Sequence, residues 1–368
     1  MVLISLVLAA TTAAAAAEPV SASCAVLALE AGVHCAQAPT GVVVSDDPAI
    51  AAEYAAVMTA GEARFRRHFS HPPLPYAVVV GPGVNPISTD GVSGGRSALQ
   101  QTLSEAGFSR VLPWPTAQQM DDLRAESVRG ALRTHLAATG LEGEALEAAV
   151  AEQLRNQPAS TAAPGTRESG AAHELGHMWA IDTYWPDREH PTGAAREYGG
   201  PAADWLDESA AVLMEDERLT ASRLEAFQRE WSKAEGARPK PLAAFFVDEH
   251  PLAAEGVAAA REVSRTVARA AAGSDPAAGR TSVARVRTGS AGMGAALFYA
   301  QARLVADFLI ERSGDPAVSD SIARAYADGR TMEQWLAAEG PPRNLPATVA
   351  ELDSQWAAWL AARYGPAG

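Results

Sequence analysis

Five consecutive residues carry the strongest chemical signal in the chain: His173-Glu174-Leu175-Gly176-His177, an H-E-x-x-H pattern. On an α-helix, side chains four positions apart lie one above the other, so both imidazoles can reach one ion. Glu174 sits one position on, about 100° round the helix, where it can address ion-held water without being a ligand. The flanking sequence predicts a helix over 168–185, with Ser169 as N-cap, Ala171 and Ala172 as strong formers, and Pro186 as the stop. Leu175, Met178 and Trp179 give that helix an apolar flank to bury. The competing reading is a helix whose two histidines are ordinary core or surface residues.

Catalytic zinc takes three protein ligands and keeps a fourth position for water. The metzincin continuation is absent, because Ala180 and Thr183 stand where that pattern has Gly and His. A second helix expected over 201–218 instead offers Asp204-Trp205-Leu206-Asp207-Glu208-Ser209-Ala210-Ala211. Glu208 shares a helical face with Ala211 and Val212, and a carboxylate turned inward among small residues is costly unless it meets a cation. Asp207 points about 100° away and is expected either to support a ligand from behind or to stand at the surface. The plain alternative for Glu208 is an exposed acid.

His173 to His177 followed by Trp205-Leu206-Asp207-Glu208 resembles the gluzincin metallopeptidases, in particular the peptidase MA-like group related to the thermolysin and aminopeptidase M1 families. There the second helix typically reads Trp-Leu-x-Glu-Gly-x-Ala, and this chain has Ser209 at the Gly. The interval from His177 to Glu208 is longer than in the best-known members, and an inserted loop over Tyr184 to Gly200 accounts for the excess. The likeness extends to the segment Tyr299 to Arg312 and to closing helices with Trp335 and Trp356, roughly half to two thirds of the chain.

The resemblance implies a zincin-like catalytic domain and one zinc ion per chain, held by His173, His177 and Glu208. It also implies a peptide or protein substrate, Glu174 as general base, and Tyr299 as the phenol that donates to the oxyanion. Tyr299 equally fits a packed helix residue. Tyr184, Tyr198, His190 and His250 are competing donors, the two histidines being expected in loops or at the surface. Zinc so held would lower the pKa of its water to about 7 and polarise a carbonyl. Glu174 would then take the water proton and pass it to the leaving amine. Two neutral imidazoles and one carboxylate would leave the site net positive, favouring the developing oxyanion.

These side chains need elements to position them, and the pattern predicts an α+β fold. Gly41 to Ser45 and Tyr76 to Val80 read as buried strands around a helix that starts at Asp46-Asp47-Pro48 and runs from Ala49 to about His68. This gives a small N-terminal strand–helix–strand layer in 18–95. A helical insertion follows over 96–165, then the metal-site helices over 166–235. An irregular connection spans 236–291, with one helix near 253–271. A C-terminal helical bundle fills 292–368, through Ala295–Ser313, Ala317–Asp328, Met332–Ala338 and Leu352–Arg363. The glycines of Gly81 to Gly95 form no phosphate-cradling motif.

Export is the expected destination. Met1 to Ala17 is uncharged, has an apolar stretch too short to span a bilayer, and ends in Ala15-Ala16-Ala17, the small-residue pattern of a signal cleavage site over 1–17. It lacks the usual basic start, and a buried N-terminal helix is the competing reading. Cys24 and Cys35, just beyond, could close a short disulfide loop in an oxidising compartment or remain free thiols.

The chain has 368 residues, 48% hydrophobic, and a formal net charge of −14, which argues against a nucleic-acid binder needing a basic stripe. No membrane span is expected once the leader is removed. Two further readings remain: a zinc-holding, non-hydrolytic module that binds peptides or envelope material, and a scaffold whose acidic surface makes protein contacts.

Overall fold

The computed structural model describes residues 23–85, 96–155, 166–186, 201–251 and 288–366. The expected leader, the helix near 253–271, His190 and Tyr198 lie outside them. Within the described residues the chain is mixed α+β, a four-stranded sheet against a larger helical body.

The sheet has the order β1-β2-β3-β4, with β1 (His34–Gln37) antiparallel to β2 (Gly41–Ser45), and β2, β3 (Tyr76–Val80) and β4 (Arg110–Trp114) parallel. Val42 to Val44 and Tyr76 to Val80 are buried throughout, the near-continuous apolar run of a strand covered on both faces. One face meets α1 (Pro48–Phe69) through Met58, Phe65 and Phe69. The other meets Leu103 of α2 (Arg96–Glu105) and Phe108. Asp47 caps α1 by accepting from the Ala49 and Ile50 amides, with Pro48 at its first turn.

Two strands go beyond the expected pair. β1 is short and partly exposed, and a Cys24–Cys35 disulfide ties it to the segment before it, so the paired reading of the cysteines holds. β4 falls in the stretch expected to be helical over 96–165. Pro113 lacks a ladder donor, and the edge position of β4 tolerates that loss. The rest of that stretch is helical, with α3 (Ala117–Ala137) and α4 (Gly143–Arg155) packed together.

The expected H-E-x-x-H helix is α5 (Thr166–Tyr184). It begins before Ser169, so that residue is not the N-cap; its buried hydroxyl accepts from the Asp216 amide at 2.8 Å. The second expected helix is shorter than 201–218. It is α6 (Asp204–Val212), and after a turn α7 (Glu217–Trp231) begins with Asp216 as N-cap, accepting from the Leu219 amide at 2.8 Å. A short α8 (Leu242–Phe245) precedes the closing helices α9 (Thr288–Ser313), α10 (Val318–Ala327), α11 (Met332–Glu339) and α12 (Val349–Tyr364), which match the expected C-terminal set.

Helices α5 and α6 lie at the seam of two apolar cores. Leu175 and Trp179 join the sheet-side cluster with Phe65, Tyr76 and Met214. Trp205, Leu206 and Val212 join the cluster of Phe245, Phe298, Phe308, Trp335 and Trp356. Anything held between α5 and α6 is therefore fixed by both cores. Among the described residues no helix is long and apolar enough to cross a membrane.

Candidate metal centre

Close approach of α5 and α6 sets the site, and Gly176 permits it. A β-carbon there would stand 2.8 Å from the Ala211 Cα and 3.0 Å from the Ala210 carbonyl oxygen, both backbone atoms that cannot swing aside. A helix-interior glycine costs about 1 kcal/mol relative to alanine, so its presence reflects this contact. Gly176→Ala should push the helices apart, destabilise the fold by about 1–3 kcal/mol and weaken cation binding. Chemical denaturation with metal titration checks this, and an unchanged midpoint and affinity would contradict it.

His173 and His177 project from α5 toward Glu208 on α6. Their rings stand 4.9 Å apart and almost perpendicular, at 86°. His173 Nε2 lies 3.7 Å from Glu208 Oε2, and His177 Nε2 lies 3.6 Å from Glu208 Oε1. One ligand atom from each of the three residues lies within 4.8 Å of the others, so the group could hold a metal ion. Glu208 is fully buried, as its helical face required, and His173 is 5% exposed. Glu174 is the only exposed residue between Ser169 and Trp185, so a solitary carboxylate opens to solvent beside one buried and one partly buried imidazole.

Both rings present Nε2 because their other nitrogens are engaged. His173 Nδ1–H donates to Glu215 Oε1 at 2.8 Å, and His177 Nδ1 is 2.7 Å from Asp207 Oδ2. A carboxylate behind each imidazole fixes its tautomer and leaves the Nε2 lone pair for a cation. Asp207 thus stands buried behind His177 rather than at the surface. Burial raises the Glu215 pKa, but the His173 hydrogen bond and the Arg223 charge outweigh it and hold the carboxyl below its ordinary value. The Glu215 carboxylate is therefore ionised.

Glu215 was not expected as part of the site. The helix expected over 201–218 runs through position 215, whereas the turn after α6 brings Glu215 inward. That turn is held by the Ser169 hydroxyl and by Arg64, whose Nη1 donates to the Met214 carbonyl at 3.3 Å. The Asp216 N-cap was the available signal, since a cap there ends the preceding helix ahead of Glu215.

The charge balance also differs from expectation. Asp207, Glu208 and Glu215 are answered locally by the Arg223 guanidinium, 2.5 Å from Glu215, so a divalent cation would bring these groups to neutrality rather than leave them net positive. Burial opposes a charged His177 ring, but Asp207 and Glu208 override it and push the pKa up to about 10. In the metal-free protein that proton stabilises the fold fully below pH 6.5, and the contribution fades as pH rises through about 10. Cation binding must expel it. Calorimetry near pH 8 in buffers of differing ionisation enthalpy should show about one proton released per ion bound. Binding without proton release would remove His177 from the ligand set.

Of the expected oxyanion donors, Tyr299 on α9 lies beside the centre, its ring 5.8 Å from that of His173 and edge-on to it. His250, expected in a loop or at the surface, is instead fully buried, with Nε2 3.6 Å from Glu208 Oε1 and its ring 5.2 Å from Tyr299. Its backbone amide donates to Asp204 Oδ2 at 2.6 Å, at the first residue of α6. Burial, then the charges of His177 and His173, push its pKa down to about 4. The sequence around it, Val247-Asp248-Glu249-His250-Pro251, gave no sign of this. Tyr184 is committed elsewhere, its hydroxyl donating to Asp320 Oδ1 at 2.5 Å and lying 3.2 Å from the Phe69 carbonyl oxygen.

No protein-family model matches the chain, and no curated protein or solved structure is significantly similar to it.

Proposed function

We propose that this chain is an exported, zinc-dependent peptidase of the gluzincin type, with a zincin-like catalytic domain built on α5 and α6. One observation carries the reading: two imidazoles and a buried glutamate converge, with Glu174 alone turned to solvent beside them. The donor set fits zinc, since imidazole nitrogen and carboxylate oxygen are its usual ligands and three protein ligands leave the open position of a catalytic site. When bound, zinc supplies Lewis acidity toward water and the scissile carbonyl. Glu174 takes a proton from the attacking water and returns it to the departing nitrogen. Tyr299 and His250 flank the ligands and supply the candidate donors to developing negative charge, His250 as a neutral imidazole at neutral pH. The Cys24–Cys35 disulfide supports export, since such bonds persist in oxidising compartments.

Digestion of a fluorogenic peptide library, with and without chelator, tests the activity. Cleavage that stops on chelation and returns with zinc is expected. A protein that holds zinc and cleaves nothing would be the binding module instead, and chelator-insensitive cleavage would place the chemistry elsewhere.

A further inference from the structure

We infer that Arg223 is a positioning residue that couples two sides of the centre, holding the His173 ligand through Glu215 and the Tyr299 ring through its guanidinium face. What Tyr299 does in catalysis rests on the peptidase reading above; the coupling itself does not.

Arg223 projects from α7 with only 18% of its side chain exposed. Its Nε lies 2.8 Å from both Glu215 oxygens and its Nη2 2.5 Å from Oε1, so the Nε–Nη2 edge of the guanidinium is committed to that one carboxylate. Its flat face is then free to stack, and the guanidinium carbon sits 4.4 Å from the Tyr299 ring centroid. In-plane donation and face stacking are compatible in one planar cation, which a lysine ammonium cannot reproduce.

The consequence is geometric. Glu215 orients His173 at 2.8 Å, while Tyr299 is packed by Arg223, by the perpendicular ring of His173 and by His250. One side chain on α7 therefore touches both the ring on α9 and the carboxylate that holds the α5 imidazole. An ordinary ion pair between neighbouring elements would need the charge but not the plane, and the lysine variant separates the two roles.

The test uses full-length protein labelled with 3-fluorotyrosine. Among the seven tyrosines, Tyr299 is the fluorine resonance missing from Tyr299→Phe. In Arg223→Gln that resonance should shift, and zinc affinity, measured by competition with a chromophoric chelator, should fall about 10–100-fold. Arg223→Lys should move the resonance as well but recover part of the affinity, because the charge beside Glu215 survives. Should Arg223→Gln fail to fold, the lysine variant carries the same comparison.

An unmoved Tyr299 resonance, or one that moves while zinc affinity stays at the wild-type value in both variants, would overturn the inference. If the wild type cleaves peptides, Arg223→Gln at saturating zinc should lose kcat with little change in KM, and adding Tyr299→Phe should cost less than additively. Full recovery of kcat by excess zinc would overturn the coupling to Tyr299. If the wild type cleaves nothing, the peptidase reading fails, and the resonance and affinity still decide the role of Arg223.

Discussion

Glu174→Gln is expected to remove peptide hydrolysis, lowering kcat by about 10²–10⁴-fold, while zinc content stays at the wild-type level. The substitution keeps the shape of the side chain and removes its basicity. Glu174 is exposed, whereas Glu208, Glu215 and Asp207 are all buried, so the change perturbs no core. Its place one residue after His173 sets it beside the ligands without joining them. Activity assays and metal analysis on the same preparation read out the two effects. Loss of metal would show that Glu174 helps build the centre, and retained activity would remove it as the base.

Glu208→Ala should lower zinc affinity far more than Asp207→Ala. Glu208 is the carboxylate that both Nε2 atoms face, at 3.6 and 3.7 Å, so its removal deletes a ligand. Asp207 Oδ2 lies 2.7 Å from His177 Nδ1, the ring nitrogen opposite the one that faces Glu208, and losing such support costs about 10–100-fold in affinity. Glu208→Gln, which keeps the volume and removes the charge, separates loss of the ligand from collapse of the pocket. Competition with a chromophoric chelator gives the ranking. Equal losses, or the reverse order, would mean that the acid nearer the metal is Asp207.

The parts of this arrangement that follow a short-range rule were legible in the sequence. The four-residue spacing of His173 and His177 fixes their shared face, and the small neighbours of Glu208 turn it inward. The runs Val42–Val44 and Ala77–Val80 could only be buried strands. The parts set by chain reversal were not. Glu215 enters the site because a turn between α6 and α7 is pinned by Ser169 and Arg64, residues remote from it in sequence. His250 arrives from a stretch with acidic neighbours and a following proline, which reads as surface. β4 hid behind Pro113, acceptable there because the strand lies at the sheet edge. In each case tertiary contacts overrode what the local pattern favoured.

One site between α5 and α6 is expected to gather nitrogen from positions 173 and 177 and oxygen from 208 around a single divalent ion. X-ray absorption at the zinc edge, on protein purified without added metal, reads that coordination. One zinc per chain is expected, with two imidazoles and light oxygen donors in its coordination sphere and one imidazole lost in His177→Ala. Metal-free protein that takes up no zinc on titration, or a zinc environment unaltered in His177→Ala, would contradict the account.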